Sequence, residues 1–148
     1  MKKLVLASLM LLAVCAVQAQ VLKPVKWSYA ARKTSATEAV IFLKATIDPG
    51  WHVYSQHVSE GGPVKTTISF DPGTYTLQGT AQEPKPITRM EKVFNMEVSY
   101  FEKEVIFQQK VKLPGKSPQV VKGTIEYMVC NDKQCLPPDE IPFSVSIK

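Results

Sequence analysis

The chain has 148 residues, with 18 Lys and Arg against 13 Asp and Glu, a formal charge of +5. The lysines are scattered singly among acids, as in Glu102-Lys103-Glu104, and no basic run exceeds two, which excludes a nucleic-acid-binding tract. The length suits one domain with a real core and leaves no room for two.

Residues 1–19 read as a secretory signal. Lys2 and Lys3 form a short positive region, Leu4 to Val17 is apolar and uncharged, and Ala19 supplies the small residue that signal peptidase requires. The apolar run is too short for a membrane span, and no later stretch is long or apolar enough for one. A lipoprotein signal at Cys15 is disfavoured by Val14, where a smaller residue is expected before an acylated cysteine. The mature domain is therefore expected to be residues 20–148, exported and soluble, with a periplasmic location. Loss of the signal removes Cys15 and leaves Cys130 and Cys135, an even number in an oxidising compartment, so a Cys130–Cys135 disulfide is expected.

Along the mature chain, alternation dominates and no helical period is convincing. Ala39, Ile41, Leu43, Ala45 and Ile47 share one parity in a strand over Thr37–Ile47. Asp48-Pro49-Gly50 is turn chemistry, Trp51–Ser55 a short strand, and Lys65–Phe70 another strand before the Asp71-Pro72-Gly73 turn. Tyr75–Thr80 continues the pattern. From Gln82 to Met96, Pro84 and Pro86 break it, and this stretch reads as a long ordered loop carrying Met90, Phe94 and Met96. Strands return with Val105, Phe107, Val111 and Leu113; with Val121, Ile125, Tyr127 and Val129; and with Ile141, Phe143, Val145 and Ile147. Seven or more short strands separated by turn signals predict an all-β, immunoglobulin-like antiparallel sandwich.

The chemistry concentrates in Cys130-Asn131-Asp132-Lys133-Gln134-Cys135-Leu136-Pro137-Pro138. Four polar residues between the cysteines suit a turn between two strands, where Cα atoms about 4.5–5.5 Å apart permit a disulfide. Closing so short a loop stabilises a fold by only about 2 kcal/mol on the chain-entropy argument, which makes a purely stabilising bond inefficient. Parity places Cys130 opposite Ile125, Tyr127 and Val129, off the main core, where a partner thiolate is expected to reach it. These observations leave two readings open, a working redox pair or a structural clip.

Cys130–Pro138, together with Pro49-Gly50-Trp51-His52-Val53-Tyr54 and the Phe94-bearing loop, resembles the N-terminal periplasmic domain of the thiol:disulfide interchange protein DsbD over about Val25 to Ile147. The resemblance implies an immunoglobulin-like domain that takes electrons from a thioredoxin-like domain of a membrane thiol reductase and passes them to oxidised periplasmic proteins, as a protein-disulfide reductase component. It makes Cys130 and Cys135 the redox couple, with Cys135 forming the mixed disulfide. It implies a cap loop that shields the pair with an aromatic ring, matched by Phe94 or, failing that, Met96, and it places Tyr54 and His52 as flanking residues. The chain departs from the pattern in having four residues between the cysteines, where familiar members have five. It also stops at Lys148, so the donor is expected on a separate polypeptide. Exchange requires no metal and no organic cofactor, and His52 and His57 lack partners at metal-ligand spacing. The competing expectation is a secreted immunoglobulin-like binding or adhesion domain in which Cys130–Cys135 is structural.

Overall fold

The computed structural model describes residues 21–115 and 118–148, so the signal assigned to residues 1–19 lies outside the described residues. Eleven strands make up the described elements. These are β1 (Val25–Lys33), β2 (Glu38–Ile47), β3 (Trp51–Tyr54), β4 (Thr67–Phe70), β5 (Thr76–Gln82), β6 (Ile87–Glu91), β7 (Met96–Phe101), β8 (Glu104–Lys112), β9 (Gln119–Tyr127), β10 (Val129–Asn131) and β11 (Asp139–Ile147). Every pairing between them is antiparallel. One layer has the order β1-β2-β8-β5, and the other is built from β11-β9-β4 and β10-β3-β7-β6. This is an immunoglobulin-like β-sandwich. Among the described residues, no helix is long and apolar enough to cross a membrane.

Period-two patterning explains the layers. Ala39, Ile41, Leu43, Ala45 and Ile47 of β2 point inward with Val105, Phe107 and Val111 of β8, and the register sets Leu43 opposite Phe107. Val121, Ile125 and Tyr127 of β9 and Phe143, Val145 and Ile147 of β11 face them from the other layer. Trp27 bridges the layers, its ring centroid 6.1 Å from Phe107 and 5.4 Å from Tyr127. Trp27 belongs to β1, a strand that the sequence reading does not assign although Val25, Trp27, Tyr29 and Ala31 alternate along it. Its other face is charged and exposed, as an outermost strand allows.

The expectation of one long loop over Gln82–Met96 is corrected. Only residues 83–86 are irregular. Beyond Pro86 the chain forms a β6–β7 hairpin with its turn at residues 92–95. The prolines forbid strand pairing only at their own positions, and β6 is an edge strand, so its exposed Arg89 and Met90 do not prevent it from pairing.

The chain changes sheets after Tyr127. β9 pairs with β4 and β11, whereas β10 pairs with β3, and Met128 is the crossing point. Tyr127 and Val129 keep the same inward parity across this step, both buried in the main core. Cys130, one residue on, is turned to the opposite face of the second sheet.

Candidate functional site

That opposite face is assembled by register. Cys130 of β10 lies directly across from His52 of β3, and Tyr54 of β3 lies across from Tyr100 of β7. With side chains alternating about the strand, Cys130, His52, Tyr54, Val98 and Tyr100 share one side while Val53, Phe101 and Val129 serve the main core. Tyr54, Val98, Tyr100 and Cys130 form a second buried cluster, with Val58, Met96 and Met128 packed against it.

Parity is right that Cys130 leaves the main core, but the expectation that a partner reaches it there is corrected. Cys130 is 0% exposed. The β6–β7 hairpin, which stands where a cap loop was expected, packs against Cys130 through Met96, Val98 and Tyr100. Cys135 is exposed, and it is bonded to Cys130 with Cα atoms 4.0 Å apart, closer than the spacing expected from sequence. One cysteine of the pair is therefore exposed and the other buried.

The short loop between them is shaped by Asn131. Its Oδ1 accepts hydrogen bonds from the backbone N–H of Lys133 and of Gln134, both at 2.8 Å, and its own N–H donates to the Gln134 carbonyl at 2.9 Å. The Leu136 N–H donates to the Val129 carbonyl at 3.0 Å and closes the hairpin just beyond Cys135. Asparagine is a turn residue because its side chain replaces a backbone acceptor, so this role was readable from Cys130-Asn131-Asp132.

The hairpin is joined to this centre by polar contacts. Glu91 Oε1 lies 3.5 Å from His52 Nε2, and Arg89 lies 3.7 Å from Asp132 in the inter-cysteine loop. The Arg89 guanidinium also sits 4.9 Å from the centre of the Tyr100 ring. A cavity of about 390 Å³ between hairpin and loop is lined by His52, Arg89, Met90, Glu91, Asn131 and Asp132. His52 is 3% exposed, packs its ring against Tyr54 and Tyr100 at 5.2 and 4.7 Å, and shares a 3.2 Å hydrogen bond with the Tyr54 hydroxyl. Burial holds His52 below its ordinary pKa, assisted by Arg89 and opposed by Glu91, Glu102 and Asp132. Burial, with Glu91 adding to it, raises the Tyr54 phenol well above its ordinary range, and burial raises Tyr100 too.

Of the residues singled out from sequence, Cys130, Cys135, His52 and Tyr54 are brought together. Met96 packs against the cluster that holds Cys130, and Phe94 is half-buried in the hairpin turn. Arg89, Glu91, Val98 and Tyr100 were not singled out. The alternation of Met96, Val98 and Tyr100 was available to find the last two. Among the described residues, no three His, Cys, Asp or Glu side chains are grouped to hold a metal ion.

A two-layer β-sandwich carrying one disulfide, with Cys135 exposed and Cys130 buried beside a hairpin, suits thiol–disulfide exchange. The sequence matches the family described as Thiol:disulfide interchange protein DsbD, N-terminal, over residues 18–146, and the chain belongs to that family. Solved structures share the fold. The DsbD N-terminal domain of Neisseria meningitidis in its reduced form is 16% identical with a TM-score of 0.53, covering 81% of this chain and 84% of that one. A complex between the DsbD and PilB N-terminal domains of the same organism is also 16% identical, with a TM-score of 0.56 and coverages of 84% and 87%. The N-terminal periplasmic domain of ScsB from Proteus mirabilis is 20% identical with a TM-score of 0.55, covering 86% of this chain and 49% of that one. No curated protein matches the sequence.

Proposed function

We propose that this domain relays electrons in the periplasm through Cys130 and Cys135. The donor is the thioredoxin-like domain of a membrane thiol reductase, and the acceptors are oxidised periplasmic proteins. Residues 1–19 direct its export and residues 20–148 make up the working domain. The observation that carries this reading is the asymmetry of the disulfide, with Cys135 exposed and Cys130 buried. A donor thiolate then has one sulfur to attack. It bonds to Cys135, the Cys130 sulfur leaves, and the donor's second thiol releases the reduced domain. In the second half-reaction Cys135 attacks the acceptor's disulfide and Cys130 resolves the mixed disulfide. The chemistry needs no metal or organic cofactor. The β6–β7 hairpin serves as the cap over the pair, with Phe94 as the shielding ring and Met96 beneath it, while His52 and Tyr54 line the floor. The complex of a DsbD N-terminal domain with a PilB N-terminal domain is an assembly of the kind expected here.

Trapping tests it. With Cys130→Ala, Cys135 should hold a thioredoxin-like partner as a stable mixed disulfide, while Cys135→Ala should hold none because its remaining sulfur is buried. The reduction potential of the pair should lie above roughly −300 mV, within reach of periplasmic reductants. Failure of Cys130→Ala to trap any such partner, with a potential well below that value, would leave the disulfide as a structural clip.

A further inference from the structure

We propose that His52, oriented by Glu91, is the base that takes the proton from Cys130 when Cys130 resolves a mixed disulfide on Cys135. This role rests on the exchange chemistry proposed above. A thiol in an apolar site holds its proton more tightly than a free one, yet only the thiolate is a nucleophile. Cys130 is fully buried, so its deprotonation needs a group already inside the protein.

His52 stands directly across the β3–β10 pair from Cys130, on the same face of the sheet. Opposed side chains in such a pair have Cβ atoms about 4.5–5.5 Å apart. His52 Nε2 faces two oxygens, the Tyr54 hydroxyl at 3.2 Å and the Glu91 carboxylate at 3.5 Å. The carboxylate can only accept a hydrogen bond and the hydroxyl can accept one too, so the hydrogen is placed on Nε2, which leaves Nδ1 as the basic nitrogen. A carboxylate fixing the tautomer of a histidine beside a nucleophile is the arrangement that activates catalytic cysteines and serines in general.

The other groups facing His52 do not compete. Tyr54 of β3 and Tyr100 of β7 are phenols that burial keeps protonated, the Tyr54 hydroxyl meeting His52 at Nε2 and not at Nδ1, and Arg89 of β6 has no acceptor. Glu91 of β6 is engaged at Nε2, while Glu102 beyond β7 and Asp132 in the inter-cysteine loop are both exposed and act on His52 only through their charge. Burial holds His52 neutral, ready to accept a proton.

In the resolving step, the acceptor begins joined to Cys135 by an S–S bond. The Cys130 proton passes to His52 Nδ1, and the Cys130 sulfur attacks the Cys135 sulfur. The Cys130–Cys135 bond forms, the Cys135–acceptor bond breaks, and the electron pair leaves with the acceptor's sulfur. The acceptor gains two electrons, the domain is oxidised, and the imidazolium returns its proton to the departing thiolate or to water.

The reduced protein and equimolar Ellman's reagent isolate this step. Attack by Cys135 releases a first thionitrobenzoate, and resolution by Cys130 releases a second at a rate independent of protein concentration. Each second-release rate is read against the first release from the same sample. In the wild-type protein the second release should rise with pH through a midpoint below about 6.5 and then level off. His52→Gln should slow it on the order of a hundredfold at neutral pH and make it climb tenfold per pH unit, because hydroxide must then remove the proton. Glu91→Gln keeps the imidazole but should slow the step and move the midpoint to lower pH. A His52→Gln profile that superimposes on wild type would overturn the proposal. So would a wild-type rate that climbs through neutral pH without levelling, a measurement that needs no variant. A wild-type protein giving no second release at all would instead sink the exchange reading itself.

Discussion

Breaking the Cys130–Cys135 bond should weaken the fold only slightly, and the amount follows from the structure. The bond closes a loop of six residues, since the two cysteines are five positions apart. Restricting so short a loop removes about 7 cal/mol/K from the unfolded chain, which is about 2 kcal/mol at 25 °C. Reduction leaves the native turn largely intact, because Asn131 and the Leu136-to-Val129 hydrogen bond still hold it when the sulfurs part. A domain of this size unfolds with roughly 0.27 kcal/mol/K of entropy, so reduction should lower Tm by about 8 °C. By linkage the fold favours the disulfide by the same 2 kcal/mol, about 45 mV for a two-electron couple. Thermal melts with and without a phosphine reductant, alongside the Cys130→Ala/Cys135→Ala double variant, measure it. A fall of 20 °C or more, or loss of folding, would refute the reasoning and mark the disulfide as a staple on which the sandwich depends.

Three further outcomes are expected. Phe94→Ala should speed alkylation of the reduced thiols roughly fivefold, since a half-buried ring contributes about 1 kcal/mol to holding the hairpin down; an unchanged rate would remove Phe94 from the cap. Gly123→Ala should destabilise the domain by about 3 kcal/mol in denaturant titrations, because a Cβ there would lie 2.0 Å from the Ser69 carbonyl oxygen and 2.7 Å from the Phe143 ring; a loss under about 1 kcal/mol would show that β4 and β9 can separate without cost. Stability should also fall as pH drops below His52's unfolded value of about 6.5, because the unfolded chain then binds a proton that the folded one resists. The contribution is complete above that pH and is lost as pH falls through the depressed folded pKa, so His52→Gln should flatten this part of the Tm–pH curve.

Much of this fold was legible because its core strands are half-buried, and a half-buried strand writes its environment into alternate positions. β2, β8, β9 and β11 were readable for that reason. β1 was missed although Val25, Trp27, Tyr29 and Ala31 alternate and Pro24 marks its start, since Lys26, Arg32 and Lys33 dilute the signal. β6 was missed for a different reason. Its hydrogen bonds run only to β7, so nothing requires an apolar face, and Pro84 and Pro86 looked like breakers of a longer element. The cysteines were found by counting, whereas Glu91 and Arg89 were not, because their roles arise only when the hairpin folds across a sheet whose far strand lies some forty residues on in sequence. Long-range juxtaposition of single charges leaves no periodic trace.

The change of sheet at Met128 decides which cysteine a partner meets. Had β9 simply continued, its outward parity at Lys122 and Glu126 would have carried Cys130 to a solvent face, and either sulfur of the bond would have been open to attack. Crossing to β3 instead sets Cys130 beside His52 and under Val98 and Tyr100, while the hairpin turn still returns Cys135 to the surface. A thiolate arriving from solvent can then form a bond only to Cys135, so Cys130 is always the leaving sulfur on reduction and always the resolving one on oxidation. The same burial that imposes this order also penalises a thiolate at Cys130 in both directions. An ordered pair of this kind therefore needs a proton acceptor and donor on the buried side, and His52 is the side chain that the sheet register supplies there.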